Sequence, residues 1–155
     1  KVLNGNLYRN IEWPVVVMLA AMIPVGQALE TSGISLNIAN FISTTTAGMG
    51  LPWLILVVLV ITMFVSDIVN NAATAVIMAP IAANLAIQVG QPVEPFLMAV
   101  AVGASCAFLS PIGHQCNTLV MAPGNYKFGD YWRLGLPLEC VIVAISIPMI
   151  LFVWT

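Results

Sequence analysis

Residues 51–89 read LPWLILVVLVITMFVSDIVNNAATAVIMAPIAANLAIQV. Two apolar runs, 51–65 and 75–89, flank the polar knot Ser66-Asp67-Ile68-Val69-Asn70-Asn71-Ala72-Ala73-Thr74. Short apolar arms joined by uncharged amides, without a basic flank, predict a helical hairpin over 51–89. It re-enters the membrane and stops with Asn70-Asn71 near the midplane. An ordinary extramembrane turn between two complete spans remains the plainer alternative.

The rest of the chain agrees that the solvent is lipid. Of 155 residues, 61% are hydrophobic and 6% are charged, and mean hydropathy is +1.03. A soluble domain carries about 25% charged residues, because charge covers its wet surface; this chain has too few. Upstream, the apolar residues 14–30 follow an interfacial Trp13 and a proline suited to a first helical turn. At about 1.5 Å per residue they nearly cross a core of about 30 Å. In 34–45, Ile34, Ile38, Phe41 and Ile42 share one helical face, which suits a helix lying along the interface. Downstream, 95–122 is apolar but interrupted at 110–117, Ser110-Pro111-Ile112-Gly113-His114-Gln115-Cys116-Asn117. The mixed aromatic and charged segment 127–134 belongs at an interface, and 136–154 is long enough to span. The expected fold class is all-α, a polytopic membrane protein with a re-entrant hairpin and a broken transmembrane helix.

With an even number of passes in 51–89, Lys1, Arg9, Lys127 and Arg133 fall on one side. The positive-inside rule makes that side cytoplasmic and the C-terminus external, in an inner or plasma membrane. No basic stripe suggests nucleic acid. Three cysteines, Cys106, Cys116 and Cys140, are an odd number in apolar surroundings, so free thiols rather than a disulfide framework are expected.

Backbone polar groups at membrane depth must be satisfied by protein or by a wet cavity. Two polar interruptions within apolar runs are therefore the informative features. At the first, a helix C-terminus meets a helix N-terminus. Carbonyls and side-chain oxygens there suit a cation, and free N–H groups suit an anion. At the second, Pro111 lacks a donor and Gly113 permits unusual dihedrals, which breaks the helix and frees carbonyls. Two broken elements meeting near the midplane are how secondary transporters build sites for substrate and coupling ion. The bland readings are a loop turn at Asn70-Asn71, a proline kink at Pro111 and a hydrogen-bonded filler at His114. Asp67 is read as the intramembrane acid, functional by default.

The string 66–75, followed by Ala79-Pro80-Ile81-Ala82, resembles the outer hairpin of the divalent anion/sodium symporter family, within the ion transporter superfamily. Residues 108–120, then Pro123-Gly124-Asn125-Tyr126 and Asp130-Tyr131, resemble the broken helix that follows it. The resemblance covers nearly the whole chain. It implies the C-terminal part of a transporter made of two inverted repeats, with an N-terminal half to complete it and a homodimer as a further expectation. The family's Ser-Asn-Thr tip falls on Asn70, Asn71 and Ala72; Asn71 matches, and Ala72 lacks the threonine hydroxyl that touches substrate. The resemblance implies a sodium site of Ser66, Val69, Asn71, Gly113 and Asn117. It implies that Asn70, Ala72, His114 and Gln115 face the substrate.

The leading expectation is sodium-coupled carriage of a small anion of the dicarboxylate, citrate or sulfate class. A proton-coupled or efflux permease using Asp67 and His114 is the rival within transport. An intramembrane hydrolase on Asp67, His114 and Cys116 is the rival from another class, disfavoured for want of metal-ligand spacing and a second carboxylate. A fragment that only packs against its other half is the third.

Overall fold

A computed structural model describes residues 13–46 and 48–154, and these are helical apart from short links. The polar opening 1–12, with Lys1 and Arg9, lies outside the described residues, as do Ala47, Thr155 and the side chains of Pro14, Val15, Met18, Leu19 and Gln115. In chain order the helices are α1 Trp13–Thr31, α2 Ile34–Thr45, α3 Leu51–Ile68, α4 Asn71–Gln88, α5 Val93–Ala104, α6 Gln115–Met121 and α7 Phe128–Trp154.

Several boundaries have a local chemical cause. The last carbonyls of a helix lack intrahelical partners, and hydroxyls take them here. Ser32 Oγ donates to Leu29 O at 3.1 Å, and Thr46 Oγ1 to Ile42 O at 2.7 Å. α3 begins after extended Gly50 with Pro52 in its first turn, where a missing N–H costs nothing. α4 closes at Gly90 (φ +67°), and the Gln91 N–H reaches back to Ala86 O at 2.9 Å. That six-residue wrap needs a left-handed residue, and glycine supplies it without strain.

Packing centres on α5, which lies against both α3 and α4. Phe96, Ala99 and Val100 join Ile55, Leu59, Leu85 and Ala82 in one buried apolar cluster. Close approach of α3 to α5 depends on Gly103, where a Cβ would stand 2.9 Å from Leu59 O and from Thr62 Cβ. α4 is backed on its other side by α1 and α2. α2 meets the bundle through Ser35, Ala39 and Ile42, while Ile34, Ile38 and Phe41 point outward, Phe41 with 71% of its surface exposed.

Three described helices, α3, α4 and α7, are long and apolar enough to cross a membrane. With so little charge, the chain is an integral membrane protein. The structure differs from the sequence reading in two places. Segments 127–134 and 136–154 form one continuous 27-residue helix, α7. Nothing between Leu134 and Leu136 stops it, since Gly135 weakens a helix without ending it. At about 40 Å it is longer than the hydrocarbon core is thick. The interruption expected at 110–117 instead occupies 105–114, and Gln115, Cys116 and Asn117 are helical. The helix stops early because carbonyls after Gly103 are claimed by side chains from elsewhere in the chain.

Candidate functional site

The junction between α3 and α4 is two residues long. Val69 (φ −108°, ψ 167°) and Asn70 (φ −73°, ψ 156°) are extended. Val69 N–H still closes onto Val65 O at 2.8 Å, so α3 is capped up to its last turn. Asn70 then caps α4, its Oδ1 accepting from the Ala73 N–H at 2.8 Å. Asparagine is among the best residues for this task, because its short side chain reaches the free N–H groups of a first turn.

The 105–114 link packs directly on this junction. Ser66 Oγ donates to Ala104 O at 2.8 Å. Ser110 Oγ donates to Asp67 O at 2.6 Å and accepts from the N–H groups of Ile112 and Gly113. Asp67 Oδ1 accepts from the Leu109 N–H at 2.9 Å. Gly113 sits so close that a Cβ would lie 2.7 Å from Ala107 Cβ and 2.9 Å from Ser66 O. No side chain fits there, which is why glycine stands at this point.

Asn71, the first residue of α4, reaches into the same space. The amide atom that faces the link lies 3.2 Å from Ala104 O, 3.2 Å from Gly113 O and 3.0 Å from Ser66 Oγ. As an NH₂ group it shares its two hydrogens among these three acceptors. As an oxygen it completes a ring of neutral acceptors, the chemistry a dehydrated monovalent cation requires. Of the five expected sodium residues, Ser66, Asn71 and Gly113 therefore meet, and Val69 lies in the two-residue link beside them. Asn117 is engaged differently: its Nδ2 donates to Ala107 O at 2.8 Å and to Ser110 O at 3.1 Å, which holds the link in shape. The Ala104 carbonyl belongs to the ring but was not expected from the sequence. Because the helix was expected to run on to residue 109, that carbonyl should have been occupied.

The expected anion residues lie at two helix starts. Asn70 precedes α4, and Ala72, half-buried, is in its first turn. His114 precedes α6, is exposed, and its Nδ1 accepts from the Cys116 N–H at 3.1 Å; Gln115 is the first residue of α6. The approach of the Asn71 amide to Gly113 O sets these two helix starts side by side. Among the described residues no group of three His, Cys, Asp or Glu side chains gathers to hold a metal.

α7 contributes a row that the sequence reading passed over. Tyr131, Gly135 and Glu139 recur every four residues and share a helical face. Tyr131 donates its hydroxyl proton to Asn117 O at 2.7 Å. A Cβ on Gly135 would lie 2.5 Å from Phe108 O, so α7 rests on the backbone of the link. Glu139 faces Asp67 within hydrogen-bonding reach. Treating 136–154 as uninterrupted, and Asp67 as the intramembrane acid, overlooked Glu139; the second carboxylate held to be absent is present. An acid within the last apolar span was the signal that could have found it.

The model of a family described as citrate transporters matches residues 2–103 and 49–155. The chain is similar to an uncharacterized transporter of Synechocystis, with 38% identity over 146 residues, 94% of this chain and 24% of that protein. It is similar to the sodium/sulfate cotransporter 2 of Chlamydomonas reinhardtii, 30% identical over 88% of this chain and 16% of the relative. It is also similar to a sodium-dependent high-affinity dicarboxylate transporter of Caenorhabditis elegans, 30% identical over 90% of this chain and 25% of the relative. The chain thus spans about a quarter or less of these relatives' lengths.

Proposed function

The chain belongs to the citrate transporter family, a family of transport proteins and not of enzymes, and from that premise we propose that it carries one cation site and part of the anion site of a sodium-coupled carrier. The observation that supports this most is the convergence of Ser66 Oγ, the Asn71 amide and the Ala104 and Gly113 carbonyls where two helix breaks meet. Neutral oxygens at a helix C-terminal end and an unwound segment are the means by which secondary transporters dehydrate a monovalent ion. Sodium is held by Ser66, Val69, Asn71 and Gly113, with Asn117 keeping the link in register. The paired starts of α4 and α6, with Asn70, Ala72, His114 and Gln115, receive a small anion.

The relatives, whose names record sulfate and dicarboxylates, support a small anion of that class as the substrate. With alanine at position 72, recognition rests on N–H groups and on His114, which suits a compact oxyanion such as sulfate. Residues 51–89 form a re-entrant hairpin in this reading, the N-terminal end faces the cytoplasm and the C-terminus lies outside. An inverted N-terminal repeat completes the carrier, and two copies form the dimer.

Uptake of labelled sulfate, succinate and citrate by the intact protein in sealed vesicles tests the proposal, with sodium replaced by choline as control. Sodium-dependent uptake of one of these anions is expected. Uptake driven by a proton gradient alone would turn the assignment to proton coupling. Impermeant thiol labelling of cysteine placed at the tip tests the hairpin; free reaction from the cytoplasm would mean two complete spans.

A further inference from the structure

Asp67 is buried, 6% exposed, at the end of α3, next in sequence to Ser66. One of its carboxyl oxygens is satisfied by the Leu109 N–H. The other, Oδ2, is buried with no donor from any N–H or hydroxyl group among the described residues. Glu139 Oε1 on α7 is in the same condition. These two carboxyl groups face each other within hydrogen-bonding reach, so each is the other's remaining partner.

Two ionised carboxylates are acceptors only and repel, and at membrane depth neither is relieved by water. One proton between them turns repulsion into a strong hydrogen bond, as in other pairs of buried acids that share a site. Asp67 has the backbone of both Leu109, at 2.9 Å, and Ser110 as donors, whereas Glu139 has that of Phe108, so Asp67 is the better place for the negative charge. Glu139 is then the neutral partner that donates.

We propose that Glu139 is a positioning residue for the cation site: as a neutral acid on α7 it donates a hydrogen bond to Asp67 and so fixes the end of α3 from which Ser66 reaches the cation. This rests on the sodium reading above. The geometry accounts for the row on α7 as a unit. Tyr131 holds the far end of the 105–114 link through Asn117 O, Gly135 lets α7 lie against Phe108, and Glu139 holds the α3 end through Asp67. α7 touches none of the four oxygens of the ring in this account; it sets the distance between the two breaks that supply them.

The test is sodium binding by the purified intact protein, read as the sodium chloride concentration giving half of the full rise in thermal unfolding temperature, at constant ionic strength with choline chloride. A ligand that binds only the folded state raises that temperature with its own concentration dependence. Glu139→Gln keeps a neutral donor of the same length and should stay within about twofold of wild type. Glu139→Met keeps the volume and loses the donor, and should need about tenfold more sodium. If Glu139→Met fails to reach the membrane, Glu139→Asp replaces it: one methylene shorter, it should also weaken sodium binding. Asn71→Ala separates the two layers of argument. No sodium effect in wild type, or none lost in Asn71→Ala, overturns the cation reading itself. A sodium effect lost in Asn71→Ala but equal in the glutamine and methionine (or aspartate) variants overturns the role of Glu139. Loss in Glu139→Gln as deep as in those variants also overturns it, because an ionisable group would then be required.

Discussion

The two breaks in this molecule are made in opposite ways. Between α3 and α4 the chain leaves helical geometry for two residues, and its own neighbours satisfy the N–H groups at Val69 and Ala73, through Val65 O and Asn70 Oδ1, while the Asp67 carbonyl takes Ser110 Oγ. Between α5 and α6 it leaves for ten residues, 105–114, and the freed groups are met from far along the chain. Ser66 takes Ala104 O, Asp67 and Leu109 pair across 42 positions, and Tyr131 takes Asn117 O. A local break is rigid by itself. A distributed break is only as well defined as the contacts brought to it, and its shape therefore reports on the packing of α3 and α7. Where a site must hold an ion and release it, placing a self-sufficient break against a dependent one gives one fixed wall and one adjustable wall.

Gly113 is where the two walls touch, and altering it should have the largest effect. A Cβ there would stand 2.7 Å from Ala107 Cβ and 2.9 Å from Ser66 O, atoms held by backbone on both sides. Gly113→Ala should cost about 1–3 kcal/mol through overpacking and abolish sodium-dependent uptake. Gly129→Ala is the control, since nothing lies within 4 Å of a Cβ at that position. Protein in the membrane and sodium dependence of uptake are the measurements. A Gly113→Ala protein with normal sodium dependence would show that the walls are farther apart in the working carrier.

Removing one side chain from each break sharpens the contrast. Ser110→Ala deletes a donor to Asp67 O and an acceptor for two N–H groups, in a link that has no local substitute. It should destabilise by about 1–3 kcal/mol, since three hydrogen bonds, two of them part-buried, are lost together. Asn70→Ala deletes one cap and should cost about 1 kcal/mol, most of it restored in Asn70→Ser. Thermal unfolding of the three variants gives the ranking. If Asn70→Ala proves the more damaging, the α3–α4 break is not self-sufficient and the comparison fails.

The same difference explains what the sequence disclosed. The two helices of 51–89 and the short link between them were legible because their cause is local: apolar runs, a cap residue and a turn lie within a few positions of one another. Ser66, Asn71 and Gly113 were reached through the family resemblance, and the structure brings them together. Asn117 was placed in the site by the same resemblance, and its Nδ2 is used on the Ala107 and Ser110 carbonyls. The true limits of the second break were not legible, and of the row Tyr131, Gly135 and Glu139 only the acid in an apolar span gave a signal. Ala104 ends its helix because Ser66, 38 residues away, takes its carbonyl, and no window along the chain contains both. The continuity of α7 was missed for a smaller reason: Asp130 and Arg133 read as an interface, but polar residues at the start of a helix do not end it.

The smallest expected effect concerns His114, and it decides whether that residue belongs to the break or to the substrate. Its ring is exposed, and Nδ1 accepts from the Cys116 N–H at 3.1 Å, which leaves Nε2 facing away from the cap. As a cap on a helix of only seven residues it contributes less than a buried tie does, and His114→Ala should cost about 0.5 kcal/mol. His114→Asn restores an oxygen acceptor at the N-cap and should return unfolding to the wild-type temperature. The two variants then separate structure from recognition. If the histidine only caps, uptake affinity for sulfate should recover with stability in His114→Asn. If Nε2 donates to the anion, stability recovers and affinity does not, because asparagine is too short to place a donor where the ring did. The resemblance places His114 against the substrate, and on that ground the second pattern is expected, with affinity in His114→Asn lower by about fivefold, as for the loss of one hydrogen bond to a charged partner offset by water at an exposed position. Full recovery of affinity would leave anion binding to the N–H groups at the starts of α4 and α6.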